Sequence, residues 1–140
     1  MLHIPKQFEQ GYSLLGIIGL GEGFLRKEDR IMAVADGQCM VMCSCPDNGS
    51  AAGLARTLVE NRLAACVQIV PIQSVYAWKG EVCTEEERLL LIKTRAVLYS
   101  PIESYIIANH PYEVPEIVMI PLQEGLGSYL SWIDVMTGPQ

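Results

Sequence analysis

The stretch that most restricts the fold is AACVQIVPIQSVYAWKGEVCTEEERLLLIKTR, residues 64–95. Val, Ile, Tyr and Trp dominate 64–78, and these residues fit a pleated, half-buried surface. WKGE then turns the chain, with Gly80 able to take a positive φ. Residues 81–95 return as one long strand, charged near the turn and apolar toward Thr94. Pro71 removes a ladder donor, so a bulge or an edge is expected there. Strands of ~13 residues span roughly 40 Å. Helices of ~11 to 15 residues cover only roughly 17 to 22 Å. The ribbon therefore overhangs its own domain and leaves Tyr76 and Trp78 exposed near its tip. An overhanging two-stranded ribbon is marginal alone and has open edges. The expectation is an obligate oligomer with strands added edge to edge.

The flanking segments complete a pattern. CMVMCSC (39–45) is apolar on both parities and reads as a strand buried on both faces, one of them covered by another subunit. Pro46 ends it, and Asp47 or Asn48 can cap a helix over 49–64. The apolar stripe of that helix is read as Ala51, Ala52, Ala55, Leu58, Val59 and Leu63. SPIE (100–103) predicts a capping box, with Ser100 as N-cap, Pro101 at N1 and Glu103 at N3. That helix should end near Asn109, because Pro111 disfavours α geometry at His110. HPYEVPE has two prolines four apart and reads as extended and stiff. IVMIPL (117–122) is the last core strand. SYLSWIDVMTG (128–138) is a final helix with Tyr129, Leu130, Ile133 and Met136 as its stripe. The order β-α-β-β-α-β plus a terminal helix predicts an α+β, ferredoxin-like (split βαβ) subunit with an antiparallel sheet.

Composition narrows the function. Half the residues are hydrophobic and 19% are charged, which argues against a disordered chain. The formal net charge of −6 and the lack of a basic patch argue against nucleic acid. No apolar run approaches the ~20 residues of a membrane span. Five cysteines without a CxxC pair read as reduced thiols, hence a cytoplasmic protein, and not as a disulfide framework or zinc ribbon. Residues 1–38 are read as an N-terminal extension to a domain of 39–140. Within them, YSLLGIIGLGEGF (12–24) is read as a flexible or loosely docked arm in preference to a signal peptide. Its glycines lack phosphate-loop spacing. Met32 is an alternative start.

CSCPD (43–47), LVENRLAACV (58–67), SVYAWKGEV (74–82), LLLIKTR (89–95), HPYEVPEI (110–117) and YLSWI (129–133) together resemble the CutA family, the divalent-cation tolerance proteins. The resemblance covers about 39–137. It implies a ferredoxin-like subunit in a homotrimer, similar in shape to PII-type trimers that bind small ligands between subunits. It also implies copper or another divalent cation as ligand and names no reaction. That the chain is no enzyme is expected from the residues, which offer only Cys43 with His110 as a conceivable dyad.

The metal residues implied are Cys43, three before Pro46, and His110 of the HPY motif. Glu116 is a nearby carboxylate that could complete the set. Thiolate and imidazole suit copper, whereas carboxylates alone suit harder ions. Many members have His-His where this chain has Asn109-His110, and Asn is a poor copper ligand. Cys39, Cys43 and Cys45 share strand parity, but only Cys43 is singled out. Plain readings stand beside these. Cysteine packs readily as core, His110 could cap the helix before it, and TEEER (84–88) reads as a solvated face. An apolar strand should raise a thiol pKa, which argues against a Cys43–His110 catalytic dyad. Tyr76, Trp78, Lys93 and Tyr112 are the candidates for a ligand cleft between subunits.

Overall fold

The computed structural model describes residues 37–139. The readings made for the N-terminal arm lie outside these residues. The elements are β1 (Gln38–Cys45), α1 (Asn48–Glu60), β2 (Cys66–Trp78), β3 (Glu81–Arg95), a short 3-10 turn (Ala96–Leu98), α2 (Tyr99–Asn109), β4 (Ile117–Pro121) and α3 (Gly127–Thr137). The strands form one antiparallel sheet in the order β2-β3-β1-β4. This is the expected split βαβ plan.

Period-two alternation sets the core. Cys39, Val41, Cys43 and Cys45 project from one face of β1 and are fully buried. They meet Leu90 and Ile92 of β3, Ala51, Leu54, Ala55 and Leu58 of α1, and Ile102 and Ile106 of α2. On the other face Met40 and Met42 stay half-buried, and Val118 and Ile120 of β4 are exposed.

The stripe of α1 differs from the expected one. Leu54 completes an i, i+3, i+4, i+7 set, while Ala52 and Val59 face outward. The helix also stops at Glu60, short of Ala64. Asn61 caps it through Nδ2 to the Thr57 carbonyl (2.8 Å), and Arg62 turns the chain at φ 57°. At the other end Asp47 is the N-cap, accepting from the Ser50 N–H at 2.8 Å.

The capping box of α2 does not form. Helical turns begin before Ser100, so Pro101 is no longer the first helical residue. Glu103 instead accepts from the Tyr99 hydroxyl. In α3 only Ile133 and Thr137 are buried, and Tyr129 and Met136 face outward. After α2 the HPYEVPE segment bends over 111–114, although His110 itself is extended.

The hairpin is regular. Thirteen consecutive pairs join Cys66–Trp78 to Lys93–Glu81 without a bulge. Lys79 and Gly80 take φ of 48° and 80°, the paired positive values of a type I′ turn. Counting back from the Trp78–Glu81 closing pair, Pro71–Arg88 is a non-hydrogen-bonded pair. Its ring nitrogen therefore faces the open edge of β2, and the bulge is unnecessary. The buried face changes sides here. Leu90, Ile92 and Thr94 are buried in the upper half, and Glu87 with half-buried Glu85 and Cys83 in the lower. Tyr76 and Trp78 share that lower side and are half-buried, not exposed as expected. Val75 and Val82, on the other side of the tip, are strongly exposed.

Candidate metal centre

β1 ends at Cys45, and the chain after α2 returns to β4 past the same point. The register Cys43–Ile117 between β1 and β4 brings the 110–116 loop against the end of β1. Two sulfurs and an imidazole meet there. The ligand atoms of Cys43, Cys45 and His110 all lie within 4.8 Å of one another, the one such thiol, imidazole and carboxylate grouping among the described residues. Cys45 Sγ lies 3.6 Å from His110 Nε2. That separation is within hydrogen-bond reach of sulfur.

The imidazole is oriented by backbone groups. The Tyr112 N–H donates to Nδ1 at 3.0 Å, so Nδ1 is the acceptor. Nε2 then carries the proton and donates to the Ser44 carbonyl at 2.8 Å. The alternative role of this ring, capping α2, is not taken up: both ring nitrogens are engaged, and Asn109 Nδ2 donates to the Tyr105 carbonyl.

The thiols differ in acidity. A hydrogen bond from Cys43 holds the Cys45 thiol below its ordinary range. Burial opposes this, and His110, through its N–H and its charge, adds to it. Cys43 moves the opposite way, raised by that same bond, by burial and by the charges of Cys45, Glu116 and Glu87. The rule that an apolar strand raises a thiol pKa thus holds for Cys43 and Cys39 but fails for Cys45. For His110, burial disfavours the charged ring, but the Cys45 and Ser44 hydrogen bonds and the charges of Cys45 and Glu87 outweigh it and raise the pKa. The Tyr112 N–H works against full protonation, since it needs a bare Nδ1.

A second polar group adjoins the first. Glu87, 2% exposed, accepts from the Tyr112 hydroxyl at 3.0 Å and from Ser74 Oγ at 2.6 Å. It is the first residue of β3 beyond the pairing with β1, where no second strand covers it. Burial and this carboxylate push the Tyr112 phenol up. TEEER is therefore not a uniformly solvated face. A cavity of about 510 Å³ opens beside the group, lined by Pro46, Glu85, Glu86, Pro111 and Tyr112.

The sequence-derived set is thus only partly convergent. Cys43 and His110 meet, and Glu116 acts on Cys43 through its charge but is not one of the three clustered ligands. Cys45 joins, a residue whose parity was visible but which nothing else in the sequence selected. The four cleft candidates do not gather within one chain. Tyr112 is buried against Glu87, whereas Lys93 pairs with Gln68 near the opposite end of β3.

Comparison with known proteins bears on the whole domain. The family described as "CutA1 divalent ion tolerance protein" matches residues 39–136. The "Divalent-cation tolerance protein CutA" of Thermus thermophilus is 45% identical over 100 residues, 71% of this chain and 97% of that protein. "Protein CutA, chloroplastic" of Arabidopsis thaliana is 43% identical over 95 residues, 67% of this chain, and the chain spans only 52% of its length. The crystal structure of CutA1 from Oryza sativa superposes with a TM-score of 0.72 at 38% identity, covering 76% of this chain and 99% of that one. Among the described residues no helix is long and apolar enough to cross a membrane.

Proposed function

The chain belongs to the CutA1 divalent ion tolerance family, and from that premise we propose that it is a homotrimeric, non-enzymatic metal-binding protein serving metal tolerance in the cytoplasm, with copper as its ion. The observation that carries this reading is the convergence of the Cys43, Cys45 and His110 ligand atoms at the end of β1. Two sulfurs and an imidazole suit a soft or borderline ion, and hard cations prefer oxygen. Glu116 and Glu87 add negative charge around the cluster, which favours a cation.

Assembly as a trimer accounts for the apolar surface left on the single chain. Val75, Val82, Val118 and Ile120 are exposed, and Met40 and Met42 are half-covered. Burying them against neighbouring copies would contribute roughly 25 cal/mol for each Å² removed from water. The open edges of β2 and β4 offer the strands for it.

The test is a titration of copper into the native protein, Cys43→Ser and His110→Ala, with light scattering on dilute samples. Copper uptake by the native trimer, weakened in both variants, is the expected result. Equal uptake by all three proteins would remove the cluster as the site, and a stable monomer would remove the assembly. The cavity beside Tyr112 favours a second reading, a small-ligand sensor of PII type. A thermal-shift screen of nucleotides and metabolites that gives no shift beyond that from metals would count against it.

A further inference from the structure

We infer that Cys43 and Cys45 are a two-sulfur ligand pair for copper(I), and that His110 is a positioning residue for the Cys45 sulfur and not a ligand. This rests on the metal-binding reading above and assigns the roles within it.

The orientation of His110 carries the first half of the argument. A metal-bound imidazole gives one nitrogen's lone pair to the ion and donates its other N–H to an acceptor. His110 has the reverse arrangement. Its Nδ1 lone pair is taken by the Tyr112 N–H, and its Nε2 proton points at the Ser44 carbonyl and the Cys45 sulfur. Ligation through Nε2 would move the proton to Nδ1, directly against the Tyr112 N–H. A buried donor left without an acceptor costs about 1–3 kcal/mol. Tyr112 is 5% exposed and fixed at its far end by Glu87, so it has little freedom to move aside. An N–H donated to sulfur is instead what orients and stabilises a metal-bound thiolate from outside the coordination sphere.

The sulfurs carry the second half. Cys43 and Cys45 sit at i and i+2 on one face of a strand, with their sulfurs among the atoms that lie within 4.8 Å of one another. Two metal–sulfur bonds of about 2.3 Å hold their sulfurs from about 3.8 Å apart when bent tetrahedrally to about 4.6 Å when linear. The strand resists closure to a disulfide. Cys43 is paired on both sides, with Leu90 and Ile117. Same-face neighbours on a strand also keep their Cα atoms roughly 6.5–7 Å apart, at the edge of what a disulfide accepts. Soft thiolates select copper(I), which accepts few ligands, whereas structural zinc takes four. The cavity supplies the approach, because its lining residues Pro46 and Pro111 directly follow Cys45 and His110.

The test measures copper(I) affinity under argon by competition with a chromophoric chelator. Native protein, Cys43→Ser, Cys43→Ala, Cys45→Ser, Cys45→Ala, His110→Ala and His110→Gln are compared, and circular dichroism establishes that each is folded. Serine and alanine at each cysteine separate a lost ligand from a misplaced hydroxyl. Gln keeps an N–H near the Nε2 position. The native protein is expected to bind one copper(I) per chain, with each cysteine variant weakened by about a hundredfold or more. His110→Ala should lose about tenfold to a hundredfold, and His110→Gln should recover most of that. His110→Gln as weak as Cys45→Ser, or Cys45→Ser and Cys45→Ala as tight as native, would overturn the inference. Native protein that binds copper(II) or zinc but not copper(I) would overturn it while leaving the metal reading in place. No uptake of any of these ions would overturn both.

Discussion

Cys39 and Cys45 stand on the same face of the same strand, both fully buried, yet their surroundings have opposite effects on them. At the Cys39 end of the sheet several strong polar groups meet matching ones. Arg62 donates to the Gly138 and Val135 carbonyls at 3.0 and 2.6 Å, and Arg95 to the Thr137 carbonyl and hydroxyl at 2.8 and 2.9 Å. Gln38 holds the Asp134 carboxylate. Two guanidinium groups thus satisfy the last carbonyls of α3, where the helix dipole favours positive charge. Near Cys45 the polar groups converge on sulfur. The bonds at the first end stay within the chain and fasten α3. The second gathers donors, the Cys43 thiol and the His110 N–H, on the Cys45 sulfur.

The largest expected effect breaks the fastened end. Arg62→Ala with Arg95→Ala should lower unfolding free energy by about 3 kcal/mol, since several carbonyls lose their donors and the dipole its counter-charge. Copper(I) affinity should be unchanged, and urea midpoints beside the chelator assay check both halves. A copper loss equal to that of Cys45→Ser would mean that the ends are not separate.

Next comes the pH response of Cys39. Burial raises its thiol to about 11. From pH 9 to 11 the unfolded chain releases a proton that the folded chain keeps, so stability falls as pH rises. The share from this group is on the order of 2–3 kcal/mol. Urea midpoints at pH 8 and pH 11 should therefore converge in Cys39→Ala relative to native. An unchanged slope would remove Cys39 as the source. Tyr112→Phe tests the sulfur end, leaving Glu87 with the Ser74 hydroxyl as its remaining side-chain donor. It should cost about 1.5–3 kcal/mol, the value of a hydrogen bond to a charged group. The smallest effect falls away from both ends. Ser100→Ala should change stability by less than about 0.5 kcal/mol, because the expected capping box is not formed. A loss near 1 kcal/mol would restore it.

The order of elements, the hairpin turn and the Asp47 cap were legible because each depends on local chemistry. Alternating apolar residues, a Lys-Gly turn and a side-chain oxygen before a helix act over a few positions. The buried faces were harder to read. Ala52 and Val59 fit a helical stripe as well as Leu54 does, and only the packing of α1 on β1 and β3 decides among them. The same limit applies to the candidate site. Cys43 and His110 were visible through the family resemblance. Cys45 needed the ring of His110 to be placed, and Glu87 needed Tyr112 to reach past the end of β1. Contacts between residues 65 or 25 positions apart leave no trace in local periodicity.

Pro71 carries a consequence for the open edge of β2. The backbone groups facing outward there belong to every second residue, Val67, Ile69, Pro71, Gln73, Val75 and Ala77 by the pairing parity. Proline interrupts that row of donors near its middle. A strand arriving from another chain can dock continuously along 73–77 or along 67–69, but it loses a hydrogen bond wherever it crosses 71. The residue thus works as a stop against indefinite strand addition, the route to fibres, while leaving a short template on either side for a partner of fixed length.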